Sequence, residues 1–219
     1  MADVPSGLSS LAAPTTPTTH FSSAAFFIAY SLLSHDAAVV LPGVGMNPGR
    51  TGMLGVLSRM NVKIEVRNER SEAGEPVADV HARPASPAAF TIDGGEVPSL
   101  IDEIPILAVL AARADGESRI TGAAELRVKE TDRIRALVHN FAALGVAAWE
   151  LPDGLVVTGS TAPLRGRIRT FGDHRIAMAF GVLGALPGND ITIDDPAAVE
   201  VSFPGFWDAL EQVGRGGAE

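Results

Sequence analysis

One order of signals occurs three times along this chain, and that repetition limits the possible folds more than any other feature. The stretches "SSAAFFIAYSLLSHDAAVVLPGVG" from Ser22, "DEIPILAVLAARADGESRITGAAE" from Asp102 and "DHRIAMAFGVLGALPGNDITIDDPAA" from Asp173 each open on a small polar or acidic pair. An apolar run, a turn and a short strand follow in each. Laying Ser23 on Asp102 brings Asp36 onto Asp115 and Gly43 onto Gly122. Laying Asp102 on Asp173 brings Ile120 onto Ile191 and Thr121 onto Thr192. A second helical pattern then appears in every copy: "RTGMLGVLSRMNV", "DRIRALVHNFAALGV" and "FPGFWDALEQVG".

The two helices of a copy have different patterns. The first is apolar nearly all round, which predicts a helix enclosed by other structure. The second carries one stripe, in the middle copy Ile134, Leu137, Val138, Phe141 and Leu144, and so belongs on a surface. Two copies end in hairpin-like stretches, the second predicted to turn at Asp153-Gly154, whereas the third stops at its second helix. The expected fold class is α/β, a pseudo-threefold repeat with buried helices and outer sheets, over residues 21–219. Residues 1–20, rich in Pro, Thr and Ser, read as a disordered or atypical leader without the features of a signal peptide.

With 219 residues, 46% of them hydrophobic, the chain can bury a substantial core. A formal net charge of -9 argues against nucleic acid or an anionic membrane as partner. The apolar runs fall short of the ~20 residues needed to span a bilayer. The absence of cysteine excludes disulfides, thiolate nucleophiles and Cys-based zinc sites, and it is compatible with the cytoplasm.

Against that acidic background, "ELRVKETDRIR" gathers Arg127, Lys129, Arg133 and Arg135 around Glu130 and Asp132. Two readings stand: a solvated helix laced by pairs such as Asp132 with Arg135, or an anion site. The apolar stripe begins only at Ile134, which puts Arg133 at the positive end of a helix dipole, where a cation is disfavoured unless an anion joins it. "GDHRIAMAF" poses the same choice for His174 and Arg175, with an internal ion pair to Asp102, Asp173 or Glu130 as the alternative. The pairs Ser22-Ser23, Asp102-Glu103 and Asp173-His174 are expected as helix caps, and Asp102 at the head of an apolar helix is also suited to accept a proton. "NPGRTG" reads as a turn and helix start. No metal site is expected, because His and carboxylate spacing is wrong for one.

"LIDEIPILAVLAA", "AAELRVKETDRIRAL", "LPDGLVV", "GDHRIAMAF" and "VSFPGFWDAL" together resemble the C-terminal half of the 5-enolpyruvylshikimate-3-phosphate synthase family, from about Ser22 to about Val213. The resemblance implies βαβαββ units arranged as an enolpyruvyl transferase-like domain, an inside-out α/β barrel. It implies transfer of the enolpyruvyl group of phosphoenolpyruvate to the 5-hydroxyl of shikimate 3-phosphate, releasing phosphate, with no metal or organic cofactor. Asp102 would take the hydroxyl proton, and Glu130 with Lys129 would handle proton transfer at the methylene carbon and the leaving phosphate. Arg133 and Arg175 would grip the phosphoenolpyruvate carboxylate, with Asp173 and His174 lining the same pocket, which in the family also takes glyphosate. Removing either guanidinium is then expected to abolish binding while leaving the thermal transition nearly unchanged.

Ser22 and Ser23 occupy the family's position at the first helix start, though Thr19-His20-Phe21 replaces the usual Pro-Gly-Asp before them. Glu125 stands where some members contact the shikimate ring through Asn, and Val201 where some carry a Lys. The other half of the family fold has no counterpart in these motifs, so a complementary N-terminal domain is an expected partner. The alternatives are a truncated, non-catalytic phosphoenolpyruvate-binding unit and a relative of the UDP-N-acetylglucosamine enolpyruvyl transferases.

Overall fold

A computed structural model describes residues 9–10 and 20–216. The first unit comprises β1 (Ser9–Ser10), α1 (Phe21–Leu33), β2 (Val39–Gly45), α2 (Gly52–Arg59), β3 (Glu65–Glu72) and β4 (Glu75–Ala82). The second comprises β5 (Thr91–Ile92), α3 (Ile104–Ala111), β6 (Glu117–Ile120), α4 (Arg133–Ala143), β7 (Ala148–Leu151) and β8 (Gly154–Thr158). The third comprises β9 (Arg165–Ile168), α5 (His174–Ala185), β10 (Asp190–Ile193) and α6 (Phe206–Gly216). Within the leader, Ser9–Ser10 pair in parallel with Val39 and Val40, and the rest of residues 1–19 lies outside the described residues.

The difference between the helices follows their sequences. Every residue of α3 is buried, and α1 and α5 bury Phe26, Ile28, Leu32, Ala177, Phe180 and Leu183. These three helices pack on one another and form the centre of the core. By contrast α4 buries Ile134, Leu137 and Phe141 and leaves Arg135 exposed. In each unit the first and second strands run parallel, with a buried helix as the crossover between them. The hairpin then adds antiparallel to the second strand, giving the orders β1-β2-β4-β3 and β5-β6-β8-β7. The third unit has only the pair β10-β9. The three sheets are separate, and among the described residues none closes into a barrel.

The repeat extends to backbone conformation: Gly43 and Gly122, matched in sequence, both have left-handed φ, 64° and 74°. At the second hairpin Leu151 faces Gly154, so Pro152 and Asp153 form the two-residue loop and the turn lies one residue earlier than the sequence suggests. Gly154 is needed for closeness rather than turning, since a Cβ there would lie 1.9 Å from the Ile120 carbonyl oxygen. The capping expectation is met at Asp173, whose carboxylate accepts from the Arg175 and Ile176 backbone N–H groups at 2.8 and 3.3 Å. It fails for the serines, because α1 is capped by His20 without a side-chain bond and Ser22 and Ser23 lie in the first turn. It fails also for Asp102-Glu103, where Glu103 holds the cap position without a cap bond. No helix among the described residues is long and apolar enough to cross a membrane.

Candidate active site

The starts of the three buried helices converge at one end of the domain. Ser22 of α1 lies beside the Glu103 carboxyl before α3, and Arg175 of α5 donates from Nη1 to the Asp102 carbonyl at 3.0 Å. Their other ends converge too: residues following α1, α3 and α5, among them Ser34, Arg113 and Asn189, line one cavity of about 800 Å³.

At the converged starts, guanidinium and carboxylate groups form a web. Arg133, the first residue of α4, has a side chain only 1% exposed. Its Nε donates to Asp173 Oδ2 at 2.7 Å and its Nη2 to Glu130 Oε2 at 2.6 Å. Asp173 is wholly buried, so one carboxylate both caps α5 and anchors the arginine. The remaining nitrogen, Nη1, is buried with no hydrogen-bond partner and lies 3.9 Å from Asp102 Oδ1. Asp102 also meets Arg175 Nη2 at 3.4 Å and Arg50 Nη1 at 3.3 Å. Three cations from three repeats therefore face one carboxylate, and a hydroxyl group brought against it would meet a positioned base.

The cluster "ELRVKETDRIR" divides into structural and site residues. Arg127 staples the loop to the second hairpin, donating to Asp132, Glu150 and the carbonyls of Leu151 and Pro152. Arg135 is exposed beside Asp132, as a solvated helix pair would be. Lys129 turns to Glu125 at 2.6 Å rather than to the guanidiniums, and Glu130 is half exposed against Arg133. The internal ion pairs weighed for Arg175 and its neighbours are thus present, yet they leave one buried guanidinium N–H group unanswered. An unanswered buried donor costs about 1–3 kcal/mol. Arg133 is too deeply built in for its removal to leave the thermal transition unchanged, so that expectation is corrected here.

Two site residues have no clear signal in the sequence. Arg50, on the turn Pro48–Arg50, reaches across from the first repeat, and only the fold puts "NPGRTG" beside Asp102. Glu103 is 2% exposed with Oε1 unbonded, and burial raises its pKa above the usual carboxylate value against the pull of Ser22 and Arg175. Burial, reinforced by Arg175, lowers the pKa of His174, so its imidazole is neutral near pH 7. The described residues contain no group of three or more His, Asp or Glu placed to hold a metal ion. This web can receive a small anion and offer it a neighbouring carboxylate base and a half-exposed acid.

Comparison with known proteins places these features in context. The family model described as EPSP synthase (3-phosphoshikimate 1-carboxyvinyltransferase) matches residues 19–210. The 3-phosphoshikimate 1-carboxyvinyltransferase of Salinibacter ruber is 47% identical over 194 residues, covering 88% of this chain and 45% of that protein. That of Thermus thermophilus is 47% identical over 190 residues, covering 87% and 44%. The solved EPSP synthase of Acinetobacter baumannii superposes with a TM-score of 0.85 at 37% identity, covering 90% of this chain and 46% of that one. The enolpyruvyl transferase NikO from Streptomyces tendae, at 20% identity and a TM-score of 0.66, shares the fold. The chain spans about half the length of the curated relatives it matches.

Proposed function

This chain belongs to the EPSP synthase family, and from that premise we propose that it is the phosphoenolpyruvate-binding half of a 3-phosphoshikimate 1-carboxyvinyltransferase. The observation that carries the reading is the buried, unpartnered Nη1 of Arg133 beside Arg175 and Asp102. A planar carboxylate lying between the two guanidiniums would satisfy that nitrogen and receive bonds from both forks.

In the proposed reaction the 5-hydroxyl of shikimate 3-phosphate adds to C2 of phosphoenolpyruvate. Asp102 takes the hydroxyl proton, and the Glu130 carboxyl, held at Nη2 of Arg133, delivers a proton to the methylene carbon. The Glu130 carboxylate then takes back a methyl proton as phosphate departs and the double bond is restored, so the C2–O bond to phosphate is exchanged for one to the 5-oxygen of the shikimate. Lys129 reaches the leaving phosphate by giving up Glu125, its partner in this structure. His174, neutral and beside Arg175, lines the pocket without adding charge to it. Ser22 and Ser23 position the α1 start, the former through Glu103. The same anion pocket suits glyphosate.

The test has two arms. Calorimetry should give phosphoenolpyruvate binding by this chain that Arg175→Ala weakens by about ten- to a hundredfold. Phosphate release from both substrates should then require a separately expressed complementary half. Undiminished binding in Arg175→Ala would overturn the carboxylate assignment. Binding without turnover, even with the complementary half present, would favour a non-catalytic phosphoenolpyruvate-binding unit.

A further inference from the structure

The turn Pro48–Arg50 belongs to the first unit, yet it is built against the segment of the second that leads into Asp102. Asn47 closes the turn: its Oδ1 accepts from the Gly49 N–H at 2.9 Å and its carbonyl from the Arg50 N–H at 2.8 Å. Just after it, Gly52 lies so close to the turn Val97–Ser99 that a Cβ there would stand 2.2 Å from Ser99 Oγ. Further along the same seam, Arg59 of α2 donates to Glu96 Oε1 at 2.6 Å and to the Thr91 carbonyl at 3.2 Å. Arg50 thus reaches toward Asp102 from a fixed backbone, although its own side chain is 65% exposed.

Its contact differs in kind from the other two at that carboxylate. Arg50 Nη1 donates to Asp102 Oδ2 at 3.3 Å, and among the described residues this is the one hydrogen bond the Asp102 carboxylate accepts. Arg175 Nη2, 3.4 Å from Oδ2, and Arg133 Nη1, 3.9 Å from Oδ1, make ion-pair contacts only. One oxygen is therefore held, and Oδ1 carries no hydrogen bond.

Charge leads to the same residue. Arg133 is matched by Asp173 and Glu130, which leaves Asp102 to face Arg175 and Arg50. The three guanidiniums and three carboxylates cancel. Without Arg50 the web would carry an excess negative charge on the carboxylate that a bound anion must approach, and Asp102 would turn to Arg175, the group that anion needs. The repeat gives Arg50 a counterpart as well. The register that lays Gly43 on Gly122 lays Arg50 on Lys129, and each cation stands between the second strand and the second helix of its unit. Lys129 turns to Glu125 within its own unit, whereas Arg50 crosses to the next.

We infer that Arg50 is a positioning residue for the reaction: it fixes Asp102 Oδ2 so that Oδ1 is presented to the incoming hydroxyl, and it balances Asp102 so that Arg133 and Arg175 stay open to the ligand carboxylate. When phosphoenolpyruvate draws Arg175 Nη2 away, Arg50 is the contact that keeps the base in place. The inference rests on the reading of this chain as the phosphoenolpyruvate-binding half of the enzyme, and binding by the parent chain tests that reading separately.

A double-mutant cycle with Asp102, followed by phosphoenolpyruvate calorimetry on the chain, tests it. In salt of about 0.15 M, charges more than about 8 Å apart are largely screened, so a remote effect of Arg50 on the ligand is suppressed. Arg50→Gln should weaken binding about three- to fivefold, the upper worth of an exposed ion pair, and Arg50→Lys should restore it. In an Asp102→Asn background, Arg50→Gln should have no effect, because the group through which it acts has lost its charge. With the complementary half present, kcat for phosphate release should fall about tenfold or more in Arg50→Gln, and Arg50→Lys should recover less of the rate than of the binding, since an ammonium lacks the planar fork that sets direction. An equal loss of binding in both backgrounds, which means that Arg50 meets the ligand itself, overturns the inference. So does no loss in either background, or an unchanged kcat. A parent chain that binds no phosphoenolpyruvate, or binds it without turnover beside the complementary half, overturns the underlying reading and the inference with it.

Discussion

The two ends of the buried helix trio hold arginine for different reasons. At the ends of the helices, Arg113 sits just past α3, where the dipole favours a cation, and donates to the Ser160 and Ala162 carbonyls and to Asn189 Oδ1. Backbone oxygens and one amide account for it. At the starts the dipole opposes a cation, yet Arg133 and Arg175 are held there by Asp173, Glu130 and Asp102 with one nitrogen to spare. The first arrangement is complete as it stands, and the second leaves a buried donor that the proposed anion would answer. An arginine becomes informative about ligands when its surroundings fail to account for it.

Four substitutions break or sharpen that contrast. Asp102→Asn should lower phosphate release, measured with the complementary half present, by about a hundred- to ten-thousand-fold, the usual range for a lost general base. The fold should be retained, since Asp102 is partly exposed and makes no cap bond. Arg133→Ala should cost about 3–5 kcal/mol in urea unfolding, because it strands the buried Asp173. Arg113→Ala should cost less, about 1–3 kcal/mol, because it leaves carbonyls rather than a carboxylate. Arg175→Ala should weaken phosphoenolpyruvate binding by about ten- to a hundredfold in calorimetry, the worth of a charged hydrogen bond, whereas Arg113→Ala should leave binding unchanged. A similar loss in both would erase the distinction between the ends.

The smallest effect concerns pH. The Glu103 pKa is raised in the folded chain, so above the ordinary carboxyl value of 4.5 the folded state holds more protons than the unfolded one. Its contribution to stability is therefore fully present below that value and is lost as pH rises toward the folded pKa. Glu103→Gln should remove a slope of at most about 1.4 kcal/mol per pH unit, so its stability relative to the parent should grow with pH over that window. Parallel stability curves for the two proteins would show that Glu103 does not titrate abnormally.

The alternation of all-round and one-sided apolar helices was legible because burial on every side leaves no room for charge, as "IPILAVLA" shows. The opening strands were not, since β1 and β5 have two residues each and exist only through parallel pairing. Asp173, Arg133 and Arg175 were legible as charges at helix starts, where local physics already calls for a partner. Arg127 was not separable from them in sequence, because its partners are carbonyls of a hairpin some two dozen positions away. Arg50 was invisible for the same reason in reverse. Its turn looks ordinary until the first repeat is folded against the second.

That last contact bears on how such a protein can be divided. Arg50 comes from the first repeat, Asp102 and Arg133 from the second, Arg175 and Asp173 from the third. The backbone is modular, but the chemistry is held in common, with every repeat owning a fraction and none a working share. Excising one module, or swapping it for a homologous copy, would alter the whole centre at once, so the smallest heritable parcel of this charge web is the trio.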